Sequence, residues 1–265
     1  MFRYGVDKAL LITTIIFTFV PEICFDRIKL LDCSYENNII LNRVIVFCGI
    51  LLIIVICRSI YLYFRKEITI KENNYCIKVK YGNIFDMKNC KKVIPFDECF
   101  TTVVGESPWD INPKSICGQF LLANPINDIK KLIDTVALKP TRSRSKFRGE
   151  ERYTSGKLIP QDDYLLMAFA KLDEAGLGRL TYDEYLESLM VLWQEIDKYY
   201  GQLDVCIPIL GSGVTRINDT SLSQQKLLEI MIMSYKLSSH KIKLPCTLYI
   251  VCKKTDDFSL SKICV

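Results

Sequence analysis

The chain has 265 residues, 49% of them hydrophobic and 25% charged, with a mean hydropathy of +0.16. That is more apolar than a soluble domain of ordinary charge content, so the apolarity must be concentrated in part of the chain. The net charge of +5 divides into +2 and +3, 7 Lys/Arg against 5 Asp/Glu up to residue 65 and 28 against 25 beyond it, so neither part is basic enough to suggest a nucleic-acid binder on electrostatics alone; the apolar content does not fit a disordered chain, and no internal repeat at solenoid periods is seen.

Ala9 to Pro21 (ALLITTIIFTFVP) is uncharged, and so is Val44 to Cys57 (VIVFCGILLIIVIC), after which Ser59 to Phe64 stays apolar behind Arg58. Val44 to Phe64 is 21 residues, about 31 Å of helix and enough for a bilayer core of about 30 Å. The first run, stretched over residues 9–25, carries Glu22 near one end. A cleaved signal peptide would explain Arg3 and Lys8 ahead of it, but no small-x-small site follows Pro21 and a second apolar run comes within 20 residues. The reading is a transmembrane hairpin over residues 1–65, with spans about 9–25 and 44–64. Arg3, Lys8, Arg58, Arg65 and Lys66 outweigh the mixed intervening loop, which puts both ends on the cytoplasmic side. The rival, two buried helices of a soluble domain, has no polar face on Val44 to Cys57 to support it.

Residues 66–265 read as a mixed α/β domain. Strands are predicted at Ile68 to Ile70, Tyr75 to Lys80, Lys92 to Phe96, Tyr164 to Ala170, Val205 to Leu210 and Thr247 to Cys252. Helices are predicted at Ser115 to Ala123, Ile126 to Ala137, Tyr182 to Tyr199, Ser221 to Ser239 and Asp256 to Ile263. Thr141 to Arg152 (TRSRSKFRGEER) is a basic, polar connection. Strands alternating with helices imply a largely parallel three-layer sandwich with ligands at the carboxyl ends of the strands.

The twelve cysteines never fall as Cys-x-x-Cys, and with one histidine, His240, there is no zinc pattern. Most read as core residues of a reducing compartment; Cys24 and Cys33, in the hairpin loop, are the pair that could form a disulfide. Asp173 to Glu184 has some spacing of a calcium loop, but Ala175 and Leu177 cannot ligate, and Thr181 with Glu184 reads instead as a capping box. His240 reads as a residue at a helix end. The informative stretch is Pro208 to Arg216, where a buried strand ends in Gly211-Ser212-Gly213-Val214-Thr215-Arg216 and leads toward a helix. Glycines there let a phosphate reach backbone N–H groups; a plain tight turn is the competing reading.

Taken in order, Val79 to Phe85, Val93 to Phe100, Ser115 to Phe120, Tyr164 to Phe169 and Pro208 to Arg216 resemble a macro domain. More closely, they resemble the macro-type sensor of ThsA effectors in Thoeris antiphage defence, in the form with two N-terminal membrane helices. The resemblance implies a macro-like α/β/α sandwich at 66–265 behind the hairpin. It implies that the domain binds an ADP-ribose-derived signal made from NAD by a TIR-domain partner, without a cofactor or metal. It places ligand contacts at Asn83, Ile84, Phe85, Asp97, Glu98, Ser115, Gly118, Gly211, Ser212, Gly213, Val214, Thr215 and Arg216, with the adenosine at Asn83 to Phe85 and the diphosphate at the glycines. Binding is then expected to drive homo-oligomerisation and disruption of the bacterial inner membrane, with no enzymatic step. Asn83 stands where the family has an aspartate, keeping an acceptor but losing its charge. Ile94-Pro95-Phe96-Asp97-Glu98 replaces the asparagine-rich segment of hydrolytic macro domains, which argues against the alternative of a membrane-tethered ADP-ribosyl hydrolase. A ligand-free anchored scaffold is a further alternative.

Overall fold

In the computed structural model the chain divides into two compact units, Met1–Arg65 and Lys66–Val265. The structure describes residues 2–24, 35–107, 109–213, 215–217, 222–255 and 258–263.

The first unit is two packed helices, α1 (Phe2–Phe19) and α2 (Tyr35–Phe64). α1 starts earlier than the predicted span and stops before Pro21, because the residue ahead of a proline is pushed out of helical geometry. Ala9, Thr13 and Asn42, with one large apolar residue, Ile39, are buried in this unit, and Thr13 Oγ1 donates back to Ala9 O at 2.8 Å. Other large apolar side chains instead point outward, among them Leu10, Leu11, Ile15, Leu52, Ile53, Ile56 and Ile60. Among the described residues one stretch of helix, Ile39–Phe64, is long and apolar enough to cross a membrane. α1, with Arg3, Asp7 and Lys8 in its 18 residues, falls short of that measure. Residue 25, the predicted end of the first span, and Cys33 lie outside the described residues.

The second unit is one mixed sheet in the order β1-β2-β9-β7-β3-β5-β6-β8, with β4 also paired to β5. Its strands are β1 (Glu67–Lys71), β2 (Cys76–Tyr81), β3 (Cys90–Asp97), β4 (Leu158–Gln161), β5 (Tyr164–Leu172), β6 (Gly178–Leu180), β7 (Asp204–Pro208), β8 (Arg216–Ile217) and β9 (Leu248–Cys252). The central run β2-β9-β7-β3-β5 is parallel throughout. Such a sheet needs cover on both faces, and Leu165 to Ala170 of β5 are accordingly buried without a break. Successive residues serve opposite faces: Leu165, Met167 and Phe169 join one core and Leu166 and Ala168 the other. α5 (Tyr182–Tyr199) and α6 (Gln224–Leu237) cover the first face, while α3 (Ile116–Ala123) and α4 (Ile129–Thr135) cover the second.

The three-layer α/β/α architecture follows the sequence reading, and α5 has its predicted bounds with the Thr181–Glu184 capping box formed. α6 begins at Gln224 with Ser223 as its cap, and α4 begins at Ile129 capped by Asp128. Ser221 and Asp256, predicted helix starts, lie outside the described residues. The last helix is reduced to a 3-10 turn at Leu260–Lys262 capped by Ser259. β4, β6 and β8 were not predicted; each has two to four residues, too few for a periodic signal.

Candidate ligand-binding site

The parallel strands deliver their carboxyl ends to one edge of the sheet. There β2 opens into Gly82 to Asp86, β3 ends at Asp97, and β7 runs into Ile209 to Gly213. β3 and β7 are adjacent, and the helices that follow them cover opposite faces, α3 after β3 on the second face and α6 after β7 on the first, the chain from β7 passing first through β8 beside β6. This is a topological switch point, where a crevice forms between diverging loops.

Asn83 caps the 3-10 turn Ile84–Asp86, its Oδ1 accepting from Phe85 N at 3.2 Å. The amide is exposed, Ile84 is buried and Phe85 is half-buried. Asp97 closes β3 with an Asx turn, its Oδ1 accepting from Cys99 N at 2.8 Å and Thr101 N at 3.2 Å. Burial raises its pKa above the ordinary aspartate value, against the pull of those donors. Its charge reaches Cys117, whose thiol is raised first by burial and then by Asp97, so Asp97 lies beside the start of α3. Ser115 caps that helix: its hydroxyl donates to Asn112 O at 2.7 Å and accepts from Gly118 N at 2.9 Å. A side chain at Gly118 would come within 2.2 Å of Asn112 O. Ser115 and Gly118 therefore shape the rim by packing.

The glycine segment is anchored at its root. Tyr185 OH donates to Leu210 O at 3.1 Å, Leu210 N–H faces Met231 Sδ at 3.4 Å, and Ser212 Oγ donates to Ile209 O at 2.7 Å. Gly211 adopts φ 78°, a left-handed conformation, and an added Cβ would press on Ile217 at 3.1 Å. Around Gly213, by contrast, there is open space among the described residues, none of which lies within 4 Å of an added Cβ. Among the described residues, the N–H groups of Gly211 and Gly213 have no backbone partner, the condition an anion-binding turn requires. Val214 lies outside the described residues. Thr215 sits against Gly178, and Arg216 is exposed on β8 opposite Arg179 of β6.

Two expectations are corrected. The helix toward which the glycines lead does not supply a dipole end directly behind them: β8 intervenes, and α6 starts at Gln224 under its own Ser223 cap. Glu98 does not face a ligand. It is 1% exposed, with Oε1 accepting from Ser145 Oγ at 2.7 Å and Leu172 N at 3.2 Å, and Oε2 from Arg152 Nη1 at 3.3 Å. A carboxylate just past the strand end can be buried only if paired, and Arg152, 54 residues away, supplies the pair. Sequence reading missed Tyr185 and Arg152 because each acts through a distant partner; Tyr185 sat unremarked on an apolar helix face, although a buried phenol needs an acceptor.

The calcium-like spacing is also accounted for: Asp173 Oδ1 accepts from Ala175 N and Leu177 N, both at 2.9 Å, and Oδ2 from Arg179 Nε at 2.7 Å. His240 Nδ1 lies 3.1 Å from Asp197 Oδ2 just beyond α6. Two cavities lie away from the strand-end crevice. One of about 420 Å³ is at the amino edge, between Asn73, Asn74 and Lys241; the other, of about 250 Å³, lies between Lys139 and Tyr199. Neither gathers glycine N–H groups, so the crevice remains the candidate site.

A family model described as "Thoeris protein ThsA, Macro domain" matches residues 77–253, so the α/β unit is of the macro-domain class. The chain is 30% identical over 263 residues to the Thoeris protein ThsA of Bacillus amyloliquefaciens strain Y2, covering 96% of this chain and 84% of that protein. The chain belongs to the ThsA family of Thoeris antiphage defence effectors. Among solved structures, an Oceanobacillus iheyensis macrodomain mutant with ADPR is 12% identical, covering 72% of this chain and 92% of that one, with a TM-score of 0.47. The macrodomain of Thermus aquaticus DarG is 13% identical over 67% and 97%, with a TM-score of 0.38.

Proposed function

We propose that this chain is a membrane-anchored sensor and effector, in which an ADP-ribose-derived nucleotide binds the strand-end crevice and drives assembly that disrupts the bacterial inner membrane. The observation that carries the reading is the juxtaposition at one sheet edge of Asn83 to Phe85, Asp97 and the glycine loop. β2 and β7 stand two strand spacings apart, about 10 Å, a separation that lets a base sit at Asn83 to Phe85 while a diphosphate meets the N–H groups of Gly211 and Gly213. Thr215 and Arg216 flank that loop, and Glu98 holds the rim from inside. The signal comes from a TIR-domain synthase acting on NAD, and residues 66–265 are cytoplasmic, with the outward-facing apolar side chains of α1 and α2 in lipid.

Output is assembly and not catalysis. A ligand shifts such an equilibrium only by binding the assembled state more tightly. The acids nearest the crevice are engaged in structure, Asp97 in its turn and Glu98 in its clamp, which supports a binding role.

The two glycines separate this proposal from a plain turn. Gly213→Val places a branched side chain in open space, so the full chain in detergent should keep its thermal midpoint yet lose calorimetric binding of ADP-ribose compounds. Gly211→Val should lower the midpoint first, through strain at φ 78°. Unchanged affinity in Gly213→Val would dispose of the site. With the wild-type chain in liposomes, absence of dye leakage on adding a ligand that binds would dispose of the membrane output alone.

A further inference from the structure

The connection from Thr141 to Arg152 contains five Lys/Arg and two Asp/Glu, and the structure braces it as a hairpin. Thr141 N donates to Arg152 O at 2.8 Å and Ser145 N to Glu150 O at 3.0 Å, closing the two arms. The tip turns through Arg148 and Gly149, at φ 55° and 62°. Arg148 stacks over the Phe147 ring at 4.7 Å, and Phe147 packs on the β5–β6 turn at Gly176. Arg144 Nη1 donates to Gly149 O at 3.1 Å. The base is fastened by Glu98 through Ser145 and Arg152, and Arg152 is held further by Ser143.

This clamp uses the one basic residue that turns inward and leaves Arg142, Arg144, Lys146 and Arg148 exposed, with Glu150 and Glu151 also at the surface. Cations fixed on a stiff backbone lose little freedom on meeting a partner, and four of them on one hairpin fit an array of phosphates better than a single anion.

The hairpin projects from the carboxyl edge of the sheet, where Glu98, Leu172 and Gly176 lie. Lys66, the first residue of this unit, is at the same edge: its carbonyl accepts from Tyr81 N at 3.3 Å, at the end of β2. In sequence only Arg65 separates Lys66 from the last residue of the apolar helix, Phe64. The carboxyl edge is therefore where the chain arrives from its apolar segment.

We propose that the 141–152 hairpin is a docking surface for the anionic headgroups of the bilayer, engaged through Arg142, Arg144, Lys146 and Arg148. The inference rests on the membrane reading given above. Each such side chain near an anionic leaflet contributes about a five-fold gain in surface association, and added salt weakens it.

The full chain is to be placed in nanodiscs of phosphatidylcholine alone, or with one-third phosphatidylglycerol, and read by hydrogen exchange. Backbone exchange over 142–150 should slow several-fold in the anionic discs, recover in high salt, and stay unchanged over the amino-edge segment 239–244. The quadruple variant R142Q/R144Q/K146Q/R148Q should lose that protection while core exchange is preserved, since the Glu98 clamp is left intact. Equal exchange in both discs, with the chain inserted, overturns this proposal alone. Protection in neutral discs on adding free ADP-ribose or an oligonucleotide, with none from phosphatidylglycerol, also overturns it, by assigning the hairpin to a soluble ligand or a nucleic acid. A chain that fails to enter either disc overturns the membrane reading and this proposal together.

Discussion

The two units use apolar side chains in opposite ways. In α2, Leu52 and Ile53 are 60% and 61% exposed, whereas Leu165 and Leu192 of the α/β unit are 0% exposed. The α/β unit builds its own apolar solvent, two cores separated by a sheet. The helix pair buries Ala9, Thr13, Asn42 and one isoleucine, Ile39, and offers most of its other leucines and isoleucines outward. Apolar content alone therefore says little; the direction in which it faces decides whether a segment folds around itself or needs an apolar surrounding.

Substitutions should affect the two units differently. The largest loss is expected from Glu98→Ala, which leaves Arg152, Ser145 and Leu172 N without their buried acceptor, at about 3–5 kcal/mol. Urea unfolding of the full chain in detergent should show it, and a loss below about 1 kcal/mol would mean that the clamp is not energetically central. Leu192→Ala should cost about 2–5 kcal/mol through the cavity it leaves. Leu52→Ala should cost under about 0.5 kcal/mol in the same assay, because its side chain is not packed within its unit. Equal costs would erase the contrast between the units. Ile53→Lys sharpens it from the other side. It should leave unfolding of the α/β unit unchanged but disfavour membrane insertion by about 3 kcal/mol, seen as a shift of the chain from membrane to soluble or aggregated fractions. An unshifted distribution would argue that α2 does not span.

A smaller effect, about 1 kcal/mol, is expected of Thr181→Ala at the start of α5. The smallest concerns Glu184 of the same capping box. Burial pushes its pKa up, but hydrogen bonds from Lys171 and Thr181 N outweigh that and hold it below the ordinary value of 4.5. A depressed carboxylate stabilises the fold above its unfolded value, and that stabilisation is lost as the pH falls through the folded one. Thermal melts between pH 7 and pH 3 should thus decline less steeply in Glu184→Gln than in wild type, and parallel curves would remove Glu184 from the acid response.

Much of this could be read along the chain, because the signals are local. The bounds of α5 follow from a cap and a 3.6-residue period, and the alternation of strands and helices defines the layered class. Asn83, Asp97 and the glycines were identifiable as strand-end residues, since a strand followed by a turn residue or a glycine is a sequence pattern. The carboxyl edge on which they meet follows from parallel pairing.

The roles of Glu98 and the glycine loop were decided only in three dimensions. Glu98 has the same neighbours in sequence whether it faces a ligand or a core, and what turns it inward is Arg152 arriving from the far end of a basic hairpin. Gly211 and Gly213 look alike as letters; one is held at positive φ against Ile217 and the other stands in open space. By itself the sequence determined which segments are apolar, where helices are capped and which residues end strands, because those depend on near neighbours. The tertiary structure alone decided which charges are paired, which glycine is strained and which strand ends share an edge, because those depend on contacts between residues far apart in the chain.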